Sequence, residues 1–180
     1  MNITPLFSTP EREKILDYML DNPKEKVTMR QIAKQLSVSA SQVHKYFVIL
    51  RKLGIIRKME VQDNYLVRSL RIMQNMKKLK NANIVSFLRK KIPGLKGIGV
   101  FGSWAEGTNM KGSDLDIWIK VEKEPELLTI AKTRKELEAT IGVDIDLIIL
   151  DKIKIKRHME KNPPFYFSLF YSILLYGEKI

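Results

Sequence analysis

The apolar pattern of this chain changes period part-way along, and that change limits the fold more than any single residue does. Up to about residue 54 the apolar positions recur at the three-to-four-residue spacing of amphipathic helices. After Pro93-Gly94 they gather into short runs at 97–102, 114–121 and 143–150 that read as strands. Two patterns in 180 residues predict two units. Charge divides the same way. Residues 1–91 hold 19 Lys plus Arg against 7 Asp plus Glu, whereas 92–180 holds 13 of each, so the net +12 is entirely N-terminal. One unit is therefore suited to a polyanion, and the other is free for different work.

Three helices are predicted before residue 55. Thr9-Pro10 opens the first, which carries Ile15, Leu16 and Met19 on one face and ends near Asp21-Asn22-Pro23. Thr28 with Gln31, and Ser39 with Gln42, are two capping-box starts. They lead helices lined by Met29, Ile32, Ala33 and Leu36, then by Val43, Phe47, Leu50 and Leu53 as far as Gly54. β-prone runs on either side of Gln62-Asp63-Asn64 predict a hairpin, followed by a basic helical connector over 71–84. Asn83 is a candidate cap for a helix over 84–91. A helix over 125–141 places Leu127, Ile130, Leu137 and Ile141 on one face, and a charged helix follows near 152–161. The aromatic run from Phe165 to Gly177 is expected in the core or in a subunit contact.

Absences narrow the chemistry. With no cysteine there can be no disulfide, thiolate metal site or cysteine nucleophile. No apolar run reaches the roughly 18 residues of a membrane span, and the N-terminus lacks the order of a signal peptide. The expectation is a soluble, cytoplasmic chain with no membrane partner.

A short helix, a tight turn and a second helix opening on small polar residues have the geometry that delivers side chains into a DNA major groove. The segment 29–56 resembles winged helix-turn-helix domains, and the likeness assigns 1–70 to such a domain. It implies DNA as partner, with Ser41, Gln42, His44 and Lys45 facing bases and Arg57, Lys58 and Arg68 as wing or phosphate contacts. Gln42 has the groups to read adenine by paired hydrogen bonds, while lysines supply affinity without sequence information. Protein docking or homodimer formation is the competing role, and the charge bias favours DNA.

In the second half, Gly97, Gly99 and Gly102 match a dinucleotide fingerprint, but the strand runs through the motif instead of preceding it. The stronger signal begins at Gly102-Ser103, where an apolar strand ends. Asp114 and Asp116, two apart on the next strand, project to one side while Leu115 and Ile117 project to the other. Clustered carboxylates repel unless a cation lies between them, and hard oxygen ligands suit magnesium. Asp144 and Asp146 offer a third carboxylate from a later strand.

This constellation resembles the minimal nucleotidyltransferases of the DNA polymerase β superfamily, over residues 85–180. The resemblance implies a two-domain α/β (α+β) chain whose C-terminal domain has a mixed sheet with flanking helices. It further implies Gly102, Ser103 and Ser113 as nucleotide contacts, and Asp114, Asp116 and Asp146 as catalytic residues holding two Mg2+ ions, with Asp146 favoured over Asp144. The implied reaction moves a nucleoside monophosphate from a triphosphate to a hydroxyl of a protein, an RNA end or a small molecule. The alternatives are a DNA-binding regulator with a nucleotide-sensing or catalytically silent domain, and an antitoxin-like protein that modifies a partner toxin. One departure bears on these: related toxin-modifying enzymes often carry arginine before the second loop glycine, and here Glu106 precedes Gly107. Trp104 and Trp118 are expected to pack in place rather than stack on a base.

Overall fold

The computed structural model describes residues 2–24 and 27–180. The chain forms two compact units, Met1–Leu70 and Arg71–Ile180.

In the first unit a 3-10 turn at Thr4–Leu6 precedes helices α1 (Pro10–Asp21), α2 (Met29–Leu36) and α3 (Ala40–Lys52). Each helix starts where a side-chain oxygen accepts an otherwise orphaned backbone N–H. Thr9 caps α1, and reciprocal capping boxes from Thr28/Gln31 and Ser39/Gln42 start α2 and α3. Ile15, Leu16, Ile32, Val43, Phe47 and Leu50 bury their side chains together in the core of this unit.

The hairpin is shorter than the sequence suggests. Strands β1 (Ile56–Arg57) and β2 (Glu60–Val61) pair antiparallel, and the turn falls at Lys58, whose φ is +57°. The second β-prone run is instead helical: α4 spans Tyr65–Asn81. The cause is Asn64. Its Oδ1 accepts the Val67 N–H at 3.0 Å while its Nδ2 donates to the Gly54 carbonyl at 2.9 Å, so a cap overrides the strand propensity of the residues after it. The basic connector is the continuation of α4, and its residues from Arg71 onward belong to the second unit. Asn83 stands before the next helix in a left-handed conformation and makes no side-chain cap.

The second unit continues with α5 (Ile84–Lys91), β3 (Leu95–Phe101), α6 (Gly102–Glu106), β4 (Leu115–Val121), α7 (Leu127–Ile141), β5 (Ile145–Leu150), α8 (Lys152–Lys161), α9 (Pro163–Phe170) and β6 (Ile173–Gly177). The sheet order is β5-β4-β3-β6. The helix α7 carries the chain between the parallel strands β4 and β5, and the other pairs are antiparallel. Alternation gives the sheet two apolar faces. Ile98, Val100, Leu115, Ile117, Ile119 and Ile145 form one core with α5 and α7, while Phe101, Trp118 and Leu150 form another with Leu169 of α9. Gly99 faces Trp118 across the β3–β4 pair, and a Cβ there would collide with the indole ring, so the glycine makes room for it.

One further expectation needs correction. Leu127 does not join the core face of α7: it is 81% exposed at the first position of the helix, and the buried side chains Thr133 and Leu137 come later along it. The aromatic tail divides into α9 and β6. Leu169 is buried there, but Phe167, Phe170 and Tyr171 are exposed because only one side of α9 meets the sheet.

Candidate active site

At the end of β3 the chain turns into α6 through Gly102, whose φ is +63°. Glycine is required twice over. The left-handed backbone disfavours any other residue, and a Cβ built here would collide with Oδ2 of Asp116. The loop after α6 folds back on its own start: Gly107 ends the helix at φ +69°, and the Thr108 and Asn109 N–H groups donate to the Ser103 carbonyl at 3.0 and 3.3 Å. Ser113 braces the far end. Its Oγ accepts the Met110 N–H at 2.9 Å, and its own N–H donates to the Met110 carbonyl at 2.9 Å.

The carboxylates come from neighbouring strands. Asp116 lies on β4, opposite in direction to the fully buried Leu115 and Ile117, and its register partner on β5 is Asp146. Asp114 is exposed just before β4. Burial, then the Asp146 charge, then the Asp114 charge push the Asp116 carboxyl above its ordinary range, which places all three in one electrostatic neighbourhood. Asp144 is not among the charges acting on Asp116; its carbonyl accepts the Leu115 N–H at 2.9 Å and so starts the β4–β5 ladder.

Among the described residues no three His, Cys, Asp or Glu side chains stand close enough together to hold a metal ion by themselves. Magnesium does not need such a set, since it is commonly held by one or two carboxylates with phosphate and water oxygens completing the shell. A half-buried carboxylate beside two like charges, with a bare glycine next to it for a phosphate, is a donor set that fits such an ion.

Sequence reasoning missed Asn75. This α4 side chain is 1% exposed; its Nδ2 donates to the Trp104 carbonyl and to Asn109 Oδ1, both at 2.9 Å, and its Oδ1 accepts from Asn109 Nδ2 at 3.3 Å. It ties the glycine-serine loop to the helix at both ends. The signal was present as an asparagine four residues before Leu79 on the buried stripe of α4, but its partners lie 29 and 34 residues away. Asn75→Leu is expected to cost about 1–3 kcal/mol, because the loop amide and carbonyl lose a buried partner. The check is a lower urea midpoint at unchanged slope.

Other candidates fall as follows. Glu106 is exposed at the end of α6. Trp104 and Trp118 are 3% and 1% exposed, which leaves neither a face for a base. In the first unit Ser41, His44 and Lys45 are exposed on α3, as are Arg57 and Lys58 in the hairpin. Gln42 is exposed too, yet its Oε1 accepts the Ser39 N–H at 2.9 Å in the capping box, so paired bonds to adenine would require opening that cap. Arg68 is not on a wing. It sits on α4, where its guanidinium donates twice to Asp63, at 2.8 Å each.

A four-stranded mixed sheet with a glycine-serine turn against paired strand carboxylates defines a nucleotidyltransferase fold. The Nucleotidyltransferase domain family matches residues 81–166, and FaeA-like protein matches 11–65. MJ0435 of Methanocaldococcus jannaschii, provisionally named a protein adenylyltransferase, is 32% identical over 76 residues, covering 39% of this chain and 82% of its own. The protein adenylyltransferase MntA of Thermococcus cleftensis is 38% identical over 61 residues, covering 34% of this chain and 62% of its own. A toxin-antitoxin crystal structure with AMP-PNP aligns at TM-score 0.43 and 24% identity, over 54% of this chain and 74% of that one. The chain belongs to the nucleotidyltransferase family. It spans less than two thirds of the length of the Thermococcus relative.

Proposed function

We propose that the C-terminal unit transfers an adenylyl group from ATP to a hydroxyl of a partner protein, as an antitoxin-like modifier, and that the N-terminal unit is a winged helix-turn-helix domain that holds it on DNA. The observation that carries the first part is the pairing of Asp116 with Asp146 across parallel strands beside Gly102. The relatives named as protein adenylyltransferases support the donor and the acceptor class.

In this reading the bare Gly102 backbone and the Ser103 hydroxyl receive the triphosphate, and Ser113 holds the loop in shape. Asp146 accepts the proton of the acceptor hydroxyl as its oxygen forms a bond to the α-phosphorus. The bond from that phosphorus to the bridging oxygen breaks, and pyrophosphate leaves. Asp114, Asp116 and Asp146 would hold magnesium, which supplies neutralisation of the phosphate charge. Glu106, exposed to solvent, imposes little penalty on a bound triphosphate. Incubation with α-labelled ATP, magnesium and host lysate tests the proposal. Labelled protein and released pyrophosphate are expected; tight ATP binding with neither product would make the domain a sensor instead.

DNA binding is supported by the N-terminal charge excess and by the exposed Ser41, His44, Lys45, Arg57 and Lys58. Affinity is expected to fall steeply with salt, with a log–log slope of about −0.9 per phosphate contacted. Lys45→Ala is expected to make that slope shallower by about one. Retention on duplex DNA that does not change between low and physiological salt would refute this part.

A further inference from the structure

The outer edge of β5 is a backbone surface that the transferase chemistry above leaves unused. Among the described residues β5 is the last strand of the sheet, with β4 as its strand partner. Two hydrogen bonds fix which way its backbone faces. The Asp144 carbonyl accepts from Leu115 on β4, whereas the Ile145 N–H points away from β4 and donates to Glu138 Oε1 at 3.3 Å. Strand residues alternate, so the N–H and C=O groups of Leu147 and Ile149 also point outward. Among the described residues none supplies those outward groups with a partner. Glu138 therefore closes the first position of the edge; Leu147 beyond it is half-buried, and Ile149, only 7% exposed, reaches solvent through the cleft that it lines.

These positions form the floor of a cleft of about 410 Å³. Leu127 and Ile130 of α7 contribute apolar surface to it, and Arg157 and His158 of α8 contribute cationic or hydrogen-bonding groups. Leu127, 81% exposed, places an apolar side chain at this rim. Lys154 also lines the cleft but is engaged by Glu124 at 2.6 Å.

Resting on the transferase reading, we infer that the acceptor enters as an extended polypeptide segment with acidic flanks, added as a further strand along Leu147–Ile149. Unpaired strand edges recruit such segments through main-chain hydrogen bonds. Register then selects the reacting residue. Phe101, Asp116 and Asp146 already lie in one row across β3, β4 and β5. An added strand extends that row, and its residue opposite Asp146 projects to the same face with its Cβ about 4.5–5.5 Å from that of Asp146. A hydroxyl residue there meets the carboxylate that takes its proton. The Arg157 guanidinium selects acidic neighbours, and the short open edge gives weak pairing that lets the product leave.

The test separates loss of one outward N–H from loss of the side chain that carries it. Proline at an outward-facing edge position deletes the N–H without breaking the internal ladder. Leu147→Pro is compared with Leu147→Ala, using transfer from α-labelled ATP to protease-sensitive lysate material and, separately, AMP-PNP binding. Leu147→Pro is expected to lose at least about tenfold more transfer than Leu147→Ala does, both with unchanged AMP-PNP affinity. Arg157→Glu, a surface change on α8 that does not threaten folding, is expected to lose transfer about tenfold with nucleotide binding intact. Equal transfer by the Pro and Ala variants, undiminished transfer by Arg157→Glu, or label only on protease-resistant small molecules would each overturn the docking mode. A wild-type protein that labels nothing would instead overturn the transferase reading.

Discussion

Asp116→Asn is expected to abolish nucleotidyl transfer and, in the same protein, to raise the melting temperature of the C-terminal unit at neutral pH. Both effects arise from the crowding of this carboxylate. Its folded-state pKa lies above the ordinary 3.8 because it is half-buried and stands near Asp146 and Asp114. The folded chain therefore binds this proton more tightly than the unfolded chain does. Stability contributed by the protonated form is complete below the ordinary value and is lost as pH rises through the folded-state value, so at pH 7 the charged group is a net penalty. Asparagine keeps the shape without the charge, and the penalty disappears. The gain should shrink as the pH of the melt is brought down into the carboxylate range. Transfer should fall by at least about 10²–10³-fold, the usual cost of deleting one preorganised charge-stabilising group. Magnesium should raise the melting temperature of the wild type and leave that of the variant unchanged, since only a ligand bound by the folded state stabilises it. Wild-type turnover by Asp116→Asn would move the chemistry elsewhere.

The second large effect is expected at Gly102. Alanine there must adopt φ +63°, at about 1–2 kcal/mol, and its methyl group occupies the position of Asp116 Oδ2. The carboxylate has to move, and a displacement of about 1 Å at a reacting centre costs roughly 10²-fold in rate. Gly112 provides the control. It also has positive φ, at +87°, but nothing lies within 4 Å of its would-be Cβ, so Gly112→Ala should carry the backbone cost and retain transfer. Equal loss from both substitutions would mean that loop strain, and not the collision with Asp116, governs activity.

What the sequence made legible was local. Capping residues and helical spacing marked α1, α2 and α3, and alternation marked β4 and β5, because each depends on neighbours within a few residues. The placement of Leu115 and Ile117 opposite to Asp116 follows from strand period alone. Less was legible wherever one side chain had two possible uses. Gln42 suits both a cap and a base reader by sequence, and in the folded chain its Oε1 is turned back to the Ser39 N–H. Asn64 looked like a turn residue and instead caps a helix, which converted the following β-prone run. Asn75 and the β3–β6 pairing depend on contacts remote in sequence, which no local pattern encodes. The order of the sheet, and hence which strand edge lies open beside Asp146, became readable only once the chain was folded.

The two tryptophans have a consequence for how the molecule can be observed. Trp104 and Trp118 are its only indoles, both lie in the C-terminal unit, and both bury an Nε1 that has no hydrogen-bond acceptor. Tryptophan emission therefore reports on that unit alone, while the six tyrosines are shared between the two. Excitation at the red edge of the protein band isolates the C-terminal unit, so the two units can be followed separately through a single denaturation without any label being attached.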